Sequence, residues 1–447
     1  MSDLLGSFLT DILIDTRKWR FVDLRINIPA DSFGSDAINP HTQYSNPIAV
    51  MENADALAMG ASFTLGAGNE MVCKAAELIL DELNGLTVEE LIFSDRGFYE
   101  TLTNPLQLRW LSPNAGLPLM AAGLVVNTLI DAASKSARLP AWEYLARLPS
   151  ELLMRLINLR HLDEGFDYAK VCAILDQGLN GIDFRCAHLK SKGIPVYYTT
   201  WIGHDAETIV KQILAQYRGR GISIFKLKIS TNIERDAAKL RSIQRMIPSD
   251  IELCVDANQT LNLEESKNWL RLLSDYNVKW LEEPFAPDNT RLFNELVDFK
   301  RENNLSCEIV TGENCPNHFT AAALMESGID RFQADPCRML GLVDGILVCL
   351  IAAINGCPIT PHAGGSSLDE LSPHIQLFNL ARVRIDSTSS STLTENVGFC
   401  SHYFAAPTIV ENGHAKTQVE PGLLVGLANS LIGQTRDYKE GTSWLEL

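Results

Sequence analysis

Positive charge is scarce in this chain. Thirty-eight lysines and arginines face 55 acids over 447 residues, a formal charge of −17. So acidic a balance argues against nucleic acid or an anionic membrane surface as the main partner. It leaves room for a small anionic substrate wherever cations are gathered locally. None of the ten cysteines forms a Cys-x-x-Cys pair, so neither a zinc site nor a disulfide framework is expected. Dispersed thiols in a large chain read as intracellular, and a cytoplasmic enzyme is the expectation. No basic segment followed by an apolar run opens the sequence, so no signal peptide is expected. The longest apolar run, 342–354, contains Asp344 and is too short to span a bilayer. No Gly-x-Gly-x-x-Gly follows an early strand, so a dinucleotide site gains no support.

The length leaves room for two domains, or one large domain with a lid. Residues 1–60 read as strands and turns, with strand candidates at 19–28 and 47–51 and a polar loop at 33–40. Residues 70–133 carry helical periodicity, for example Val72, Ala75, Ala76, Leu78 and Ile79. The first third is therefore an α+β unit. From 194 onward the pattern is strand, loop, helix, repeated. Strand candidates fall at 194–201, 222–229, 251–255, 278–281, 307–311, 331–334, 358–360 and 381–385. Alternating βα units imply a parallel sheet. Eight of them point to a closed barrel, with an open doubly wound sheet as the competitor.

Within the second of these strands lies Lys226-Leu227-Lys228. Residues two apart in a strand share a face, so both ammonium groups point one way, about 6–7 Å apart. Like charge and desolvation lower a lysine pKa, which suits a base. An isolated Lys-x-Lys is more often a solvated pair on an edge strand. The later strand ends alter that balance. Each delivers a titratable residue: Asp256, Glu282, Glu313, Asp335 and His362, about one βα unit apart. In a barrel these ends share the C-terminal rim, where chemistry is placed. Asp256, Glu282 and Glu313 make an all-oxygen cluster that suits Mg2+ better than zinc. Lys228 lies to one side of it and His362 to the other, with Asp335 placed to orient the imidazole. A cation on a substrate carboxylate acidifies the adjacent C–H, and two bases can serve either face of that carbon. Proton abstraction alpha to a carboxylate is the reaction class. Elimination, racemisation and cycloisomerisation all begin with it.

Lys-Leu-Lys (226–228), Asp-Ala-Asn-Gln (256–259), Glu-Glu-Pro (282–284), Gly-Glu-Asn (312–314), Gln-Ala-Asp (333–335) and Pro-His-Ala-Gly-Gly (361–365) together resemble the enolase superfamily, mandelate racemase branch. Within it the chain looks most like the L-fuconate dehydratase type, which includes fungal galactonate dehydratases. That likeness rests on 34–40 with Tyr44, 62–66, 68–70, 107–110, 183–185 and 337–338. The resemblance implies an α/β protein, a (β/α)7β, TIM-like barrel under an α+β capping domain. The divisions expected are a cap at 1–140, a barrel at 141–405 and a segment at 406–447 returning to the cap. It implies Lys228 as the base on carbon 2, Lys226 as a carboxylate-binding cation, and Mg2+ held by Asp256, Glu282 and Glu313. His362, paired with Asp335, becomes the second acid/base. Asn258 touches substrate, and Glu395 hydrogen-bonds its carboxylate, unless Glu395 is a solvated helix residue. Gly34, Ser35, Asp36 and Tyr44 belong to a capping loop over the distal hydroxyls.

The implied reaction is loss of water from an acid sugar, giving a 2-keto-3-deoxy acid, in a homo-oligomer. A racemase or epimerase of a 2-hydroxy acid is the alternative. A non-catalytic descendant would lack a ligand or the base, and none is missing here. Departures from the pattern include Ala67 in place of an arginine, Asn314 in place of a histidine or methionine, and Ser366-Ser367 in place of Val-Gly.

Overall fold

Strands β1 (Trp19–Asn27), β2 (Gln43–Glu52) and β3 (Leu57–Ala61) form an antiparallel sheet, completed by β13 (Thr435–Asp437) against β1. The computed structural model describes residues 11–27, 43–52, 57–105, 108–111, 114–200, 203–385, 392–398, 401–427 and 435–439. Central strand β2 is buried from Tyr44 to Met51. A strand covered on both faces loses the in/out alternation of a half-exposed one. Its covers include helices Asn69–Leu83 and Gly116–Ser136. The second is long and apolar enough to cross a membrane, but 89% of its apolar window is buried inside the fold. It is a core helix. Gly60 of β3 lets the sheet approach it, since a Cβ there would lie 2.4 Å from Thr128 Oγ1.

The second layer is a parallel sheet of β4 (Ile194–Thr199), β5 (Ile224–Lys228), β6 (Glu252–Asp256), β7 (Trp280–Glu282), β8 (Glu308–Thr311) and β9 (Arg331–Phe332), paired in chain order. Phe332 bridges to Ile359, and the Glu395 amide donates to Pro361 O at 3.0 Å. Strand β10 (Thr394–Glu395) pairs in parallel with β4. Hydrogen bonding thus runs round from the first stave to the last. A doubly wound sheet reverses its strand order at a switch point. Here the order is sequential and the last stave lies beside the first. A hairpin of β11 (Val410–Glu411) and β12 (His414–Ala415) adds to the start of β4. Four of the helices between the staves start on side-chain caps, from Asp205, Asn232, Asn262 and Asn317. Asn262, for example, accepts from the Glu265 amide at 3.0 Å while Glu265 accepts from the Asn262 amide at 2.8 Å.

The interior is layered. Tyr197, Cys254, Trp280, Val310 and Leu393 pack into a buried apolar plug, with Trp280 edge-on to Tyr197 at 5.1 Å. Two residues further along the same staves come Thr199, Asp256, Glu282 and Glu395. A period of two keeps them on the inner face, one level up. The apolar layer thus floors a polar one.

The eighth strand expected at 381–385 is not a strand. Helix Leu368–Phe378 runs on into a π-helical turn, Asn379–Val383. The cause is Arg382, whose fully buried guanidinium donates to Leu175 O at 2.7 Å, to Ser150 Oγ at 2.9 Å and to Ala146 O. Those bonds hold the segment against the helices before β4. The last stave comes later, at β10, and is two residues long.

One histidine in this layer sets a pH limit on the fold. His374 Nδ1 accepts from the Trp142 amide at 3.1 Å, and Nε2 faces Gln418 Oε1 at 3.3 Å. Both nitrogens suit the neutral ring. Burial, offset in part by Gln418, pushes its pKa down from 6.5 to about 4. Unfolding therefore takes up a proton between those values, so this stability is whole above pH 6.5 and drains as pH falls toward 4. The full effect is on the order of 3 kcal/mol. Thermal melts of wild type and His374→Gln across pH 4–7 check it. The variant is expected to show the flatter dependence.

Candidate active site

The register sets Lys228 opposite Asp256, and Asp256 opposite Glu282. Three chemically active side chains thus stand at one height on neighbouring staves. Lys228 Nζ lies 2.6 Å from Asp256 Oδ2. Lys226 is buried one pleat below, with Nζ 3.0 Å from Glu395 Oε1, 3.4 Å from Asp256 Oδ2 and in contact with Glu282 Oε1. Asp256 also accepts the Asn258 amide at 2.8 Å. Asn258 reaches this place with φ +43, a left-handed conformation that asparagine tolerates better than most residues.

Across the ring, His362 Nδ1 meets Asp335 Oδ2 at 2.8 Å. Its Nε2 is 3.3 Å from Glu313 Oε2 and accepts the Gly364 amide at 3.0 Å. The amide contact suits a neutral ring with its proton on Nδ1. The surrounding acids pull the other way. Burial opposes the charge, but Glu313 and the Asp335 hydrogen bond outweigh it and raise the His362 pKa to about 10. Glu395 is a buried strand residue, not a solvated helical one. Its Oε2 accepts the Ala363 amide at 3.0 Å, and Oε1 takes Thr199 Oγ1 and Lys226. Burial works against its charge, while Lys226 and His362 hold its pKa down at about 2.

The lysine pKa values go against the expectation of mutual lowering. Both ammoniums share a face, and burial works to neutralise them. Glu282 and Glu395 outweigh it at Lys226, and Asp256 does so at Lys228, so both pKa values are raised. Lysine spacing alone predicts mutual lowering; the carboxylates between the two ammoniums reverse the sign.

Asp256, Glu282 and Glu313 each offer an oxygen within 4.8 Å of the other two. Glu313 Oε2 is buried and accepts no hydrogen bond. Burial holds the Glu282 pKa well above its usual range, with Asp256 and Glu313 adding to the rise against Lys226. Three crowded carboxylates, one with an unsatisfied oxygen, are a donor set for a hard divalent cation. The residues fit Mg2+.

Glu313, with Lys226, Lys228, His362 and Glu395, lines a cavity of about 480 Å3, a volume usual for a small-molecule site. Tyr44 and Phe63, stacked at 5.5 Å, wall it from the antiparallel layer. Ala67 lines it too, so the departure from arginine falls on the cavity wall. The structure thus gathers Lys226, Lys228, Asn258, Glu313, Asp335, His362, Glu395 and Tyr44 around one space, with Asp256 and Glu282 just beneath. Gly34, Ser35 and Asp36 lie outside the described residues.

Sequence reasoning did not single out Thr199, Glu283 or Arg338 as site residues. Glu283 accepts from Gln259 and Asn314, and burial, with Glu313 and Asp256, pushes its pKa up to about 8. Arg338 donates to Asn314 Oδ1 and makes no ion pair among the described residues. The second glutamate of Glu-Glu-Pro was a signal for the first of these. Arg338 lies within the 337–338 likeness, and Thr199 carries no signal outside the fold.

The family described as enolase C-terminal domain-like matches residues 208–430. An L-galactonate dehydratase of Hypocrea jecorina is 30% identical over 434 residues, covering 95% of each chain. The crystal structure of human mitochondrial enolase superfamily member 1 superposes with a TM-score of 0.87 at 27% identity, covering 96% of this chain and 97% of that one. An L-talarate dehydratase from Polaromonas sp. JS666, complexed with Mg and L-glucarate, shares the fold at a TM-score of 0.69 and 18% identity, over 94% and 97% of the two chains. With the strand-end residues gathered as the geometry has them and a relative of this identity matched along nearly its whole length, the chain belongs to the enolase superfamily.

Proposed function

We propose that this chain is a Mg2+-dependent sugar-acid dehydratase. The observation that carries the reading is one cavity walled by an amine, Lys228, and an imidazole, His362, with three clustered carboxylates between their staves. Asp256, Glu282 and Glu313 would hold the ion. Once bound, it supplies Lewis-acid charge at the substrate carboxylate and offsets the acids that now hold Lys228 protonated. Lys226, tied to Glu395, presents a fixed cation toward a carboxylate. Lys228 takes the proton from carbon 2. His362, steered by Asp335, faces the same carbon from across the ring. The 3-hydroxyl then leaves with a proton from Lys228 or His362, and substrate stereochemistry decides which. The enol left behind tautomerises to a 2-keto-3-deoxy acid, a net loss of one water.

The substrate is a six-carbon sugar acid of the L-fuconate or L-galactonate kind. Its support is the loop and cavity-wall resemblance and the L-galactonate dehydratase relative. Symmetric self-association belongs to the same reading and rests on resemblance alone.

A library of acid sugars, these two first, should be incubated with enzyme and Mg2+ and assayed for 2-keto acid, with Lys228→Ala as the blank. At least one acid is expected to turn over. Deuterium entering carbon 2 with no keto acid would favour the epimerase instead. Neither signal from any acid would end the proposal.

A further inference from the structure

The pair Ser366-Ser367, which departs from the family pattern, has a partner in the antiparallel layer. Asn46 of β2 is fully buried. Its Nδ2 stands 2.7 Å from Ser367 Oγ, 2.9 Å from Ser62 O and 3.1 Å from Ser366 O, and its Oδ1 meets the Ser366 hydroxyl. One amide thus joins β2, the segment after β3 and the loop that follows His362. That loop is pinned elsewhere as well. A Cβ on Gly365 would fall 2.5 Å from the Phe63 ring. A Cβ on Gly364 would fall 2.4 Å from His362 Nε2, the atom to which the Gly364 amide donates. Ser372 Oγ donates to His362 O, and Leu371 N to Ser367 O at 2.9 Å.

The backbone supplies a separate sign of tension. Ser367 has φ +65, a left-handed conformation that a residue with a Cβ adopts only when its surroundings hold it there. Asn46 is the side chain that grips its hydroxyl. Tyr44, two residues back on the same face of β2, walls the cavity and stacks on Phe63. The strand that bounds the substrate space is therefore the strand that holds the His362 loop.

We propose that Asn46 is a positioning residue which, through Ser366 and Ser367, fixes loop 363–367 and so sets the place of the His362 imidazole. The inference rests on the reading of His362 as an acid/base. It makes the N-terminal layer a part of the proton-transfer apparatus as well as a wall of the cavity. Asn46 is buried and does not line the cavity. Its loss should therefore act on turnover more than on binding.

The test uses the full chain with Mg2+ and the best acid sugar from the screen, in wild type, Asn46→Ala and Asn46→Ala/Ser367→Gly. Amide hydrogen exchange across 362–368 should rise about ten-fold in Asn46→Ala while the melt stays cooperative. kcat should fall about 30-fold with KM moving less than about three-fold, as for a group displaced by a fraction of an ångström. Ser367→Gly should recover several-fold of that loss, since glycine holds φ +65 without outside restraint. Unchanged exchange, a kcat within about two-fold of wild type, or kcat and KM shifting together with the folded fraction would each overturn the proposal. Should wild type turn over no acid sugar, the proposed function falls, and the exchange data still decide whether Asn46 holds the loop.

Discussion

Lys228→Ala is expected to lower kcat by about 10³-fold or more while KM moves only a few-fold, the size expected of a positioned acid/base. The fold should survive. Asp256, left behind, keeps the Asn258 amide at 2.8 Å and Lys226 at 3.4 Å, so it is not an orphaned buried charge. The companion variant is Lys228→Arg. A guanidinium keeps the positive charge beside Asp256 but does not deprotonate in this range. It should restore the melting temperature lost in the alanine variant and leave kcat near the alanine value. If arginine instead restores turnover, Lys228 works as an electrostatic anchor and the base lies elsewhere. Measuring kcat, KM and carbon-2 deuterium exchange for both variants separates these outcomes. Parallel measurements on His362→Asn then say which proton transfer belongs to which side.

The residues that carry chemistry were the most legible part of this chain. A parallel sheet with sequential order puts each strand end on one rim, so topology alone groups a titratable residue that recurs once per βα unit. The register that sets Lys228, Asp256 and Glu282 level follows from that topology. What failed did so for nameable reasons. Segment 381–385 alternates like a strand, but its period is overruled by Arg382, whose guanidinium satisfies carbonyls far away in sequence. The two-residue β10 is too short to show a period of its own. Glu395 was therefore found by likeness, and its burial came only with the fold. The sign of the lysine pKa shifts depends on Glu282, Glu395 and Asp256 together, a three-body sum that spacing does not encode. Ser366 and Ser367 stood out as departures, but their partner, Asn46, lies 320 residues away from Ser366.

Mg2+ should raise the melting temperature of the wild-type chain by a few degrees, and Asp256→Asn should abolish both that rise and turnover. Asp256, Glu282 and Glu313 crowd their oxygens within 4.8 Å, and Glu283, Glu395 and Asp335 stand on the same rim. Against six acids the site sets Lys226, Lys228, His362 and Arg338. Burial and the neighbouring carboxylates oppose the charge on Glu282, against Lys226, and a bound dication would offset that opposition. An ion that binds the fold and not the unfolded chain adds about 2.7 kcal/mol at a hundred times its dissociation constant. Asparagine at 256 removes one ligand charge and leaves Lys228 facing a neutral amide, so ion affinity and the poise of the base fall together. At matched occupancy any ion that binds only the fold stabilises it equally, so the concentrations of Mg2+ and Zn2+ needed for the same rise compare their affinities. Calorimetric titration and melts of chelator-treated protein, with Mg2+ and Zn2+ in parallel, read this directly. A wild-type melt that ignores Mg2+ would mean the carboxylates are held by the lysines alone, and the dehydratase reading would lose its ion.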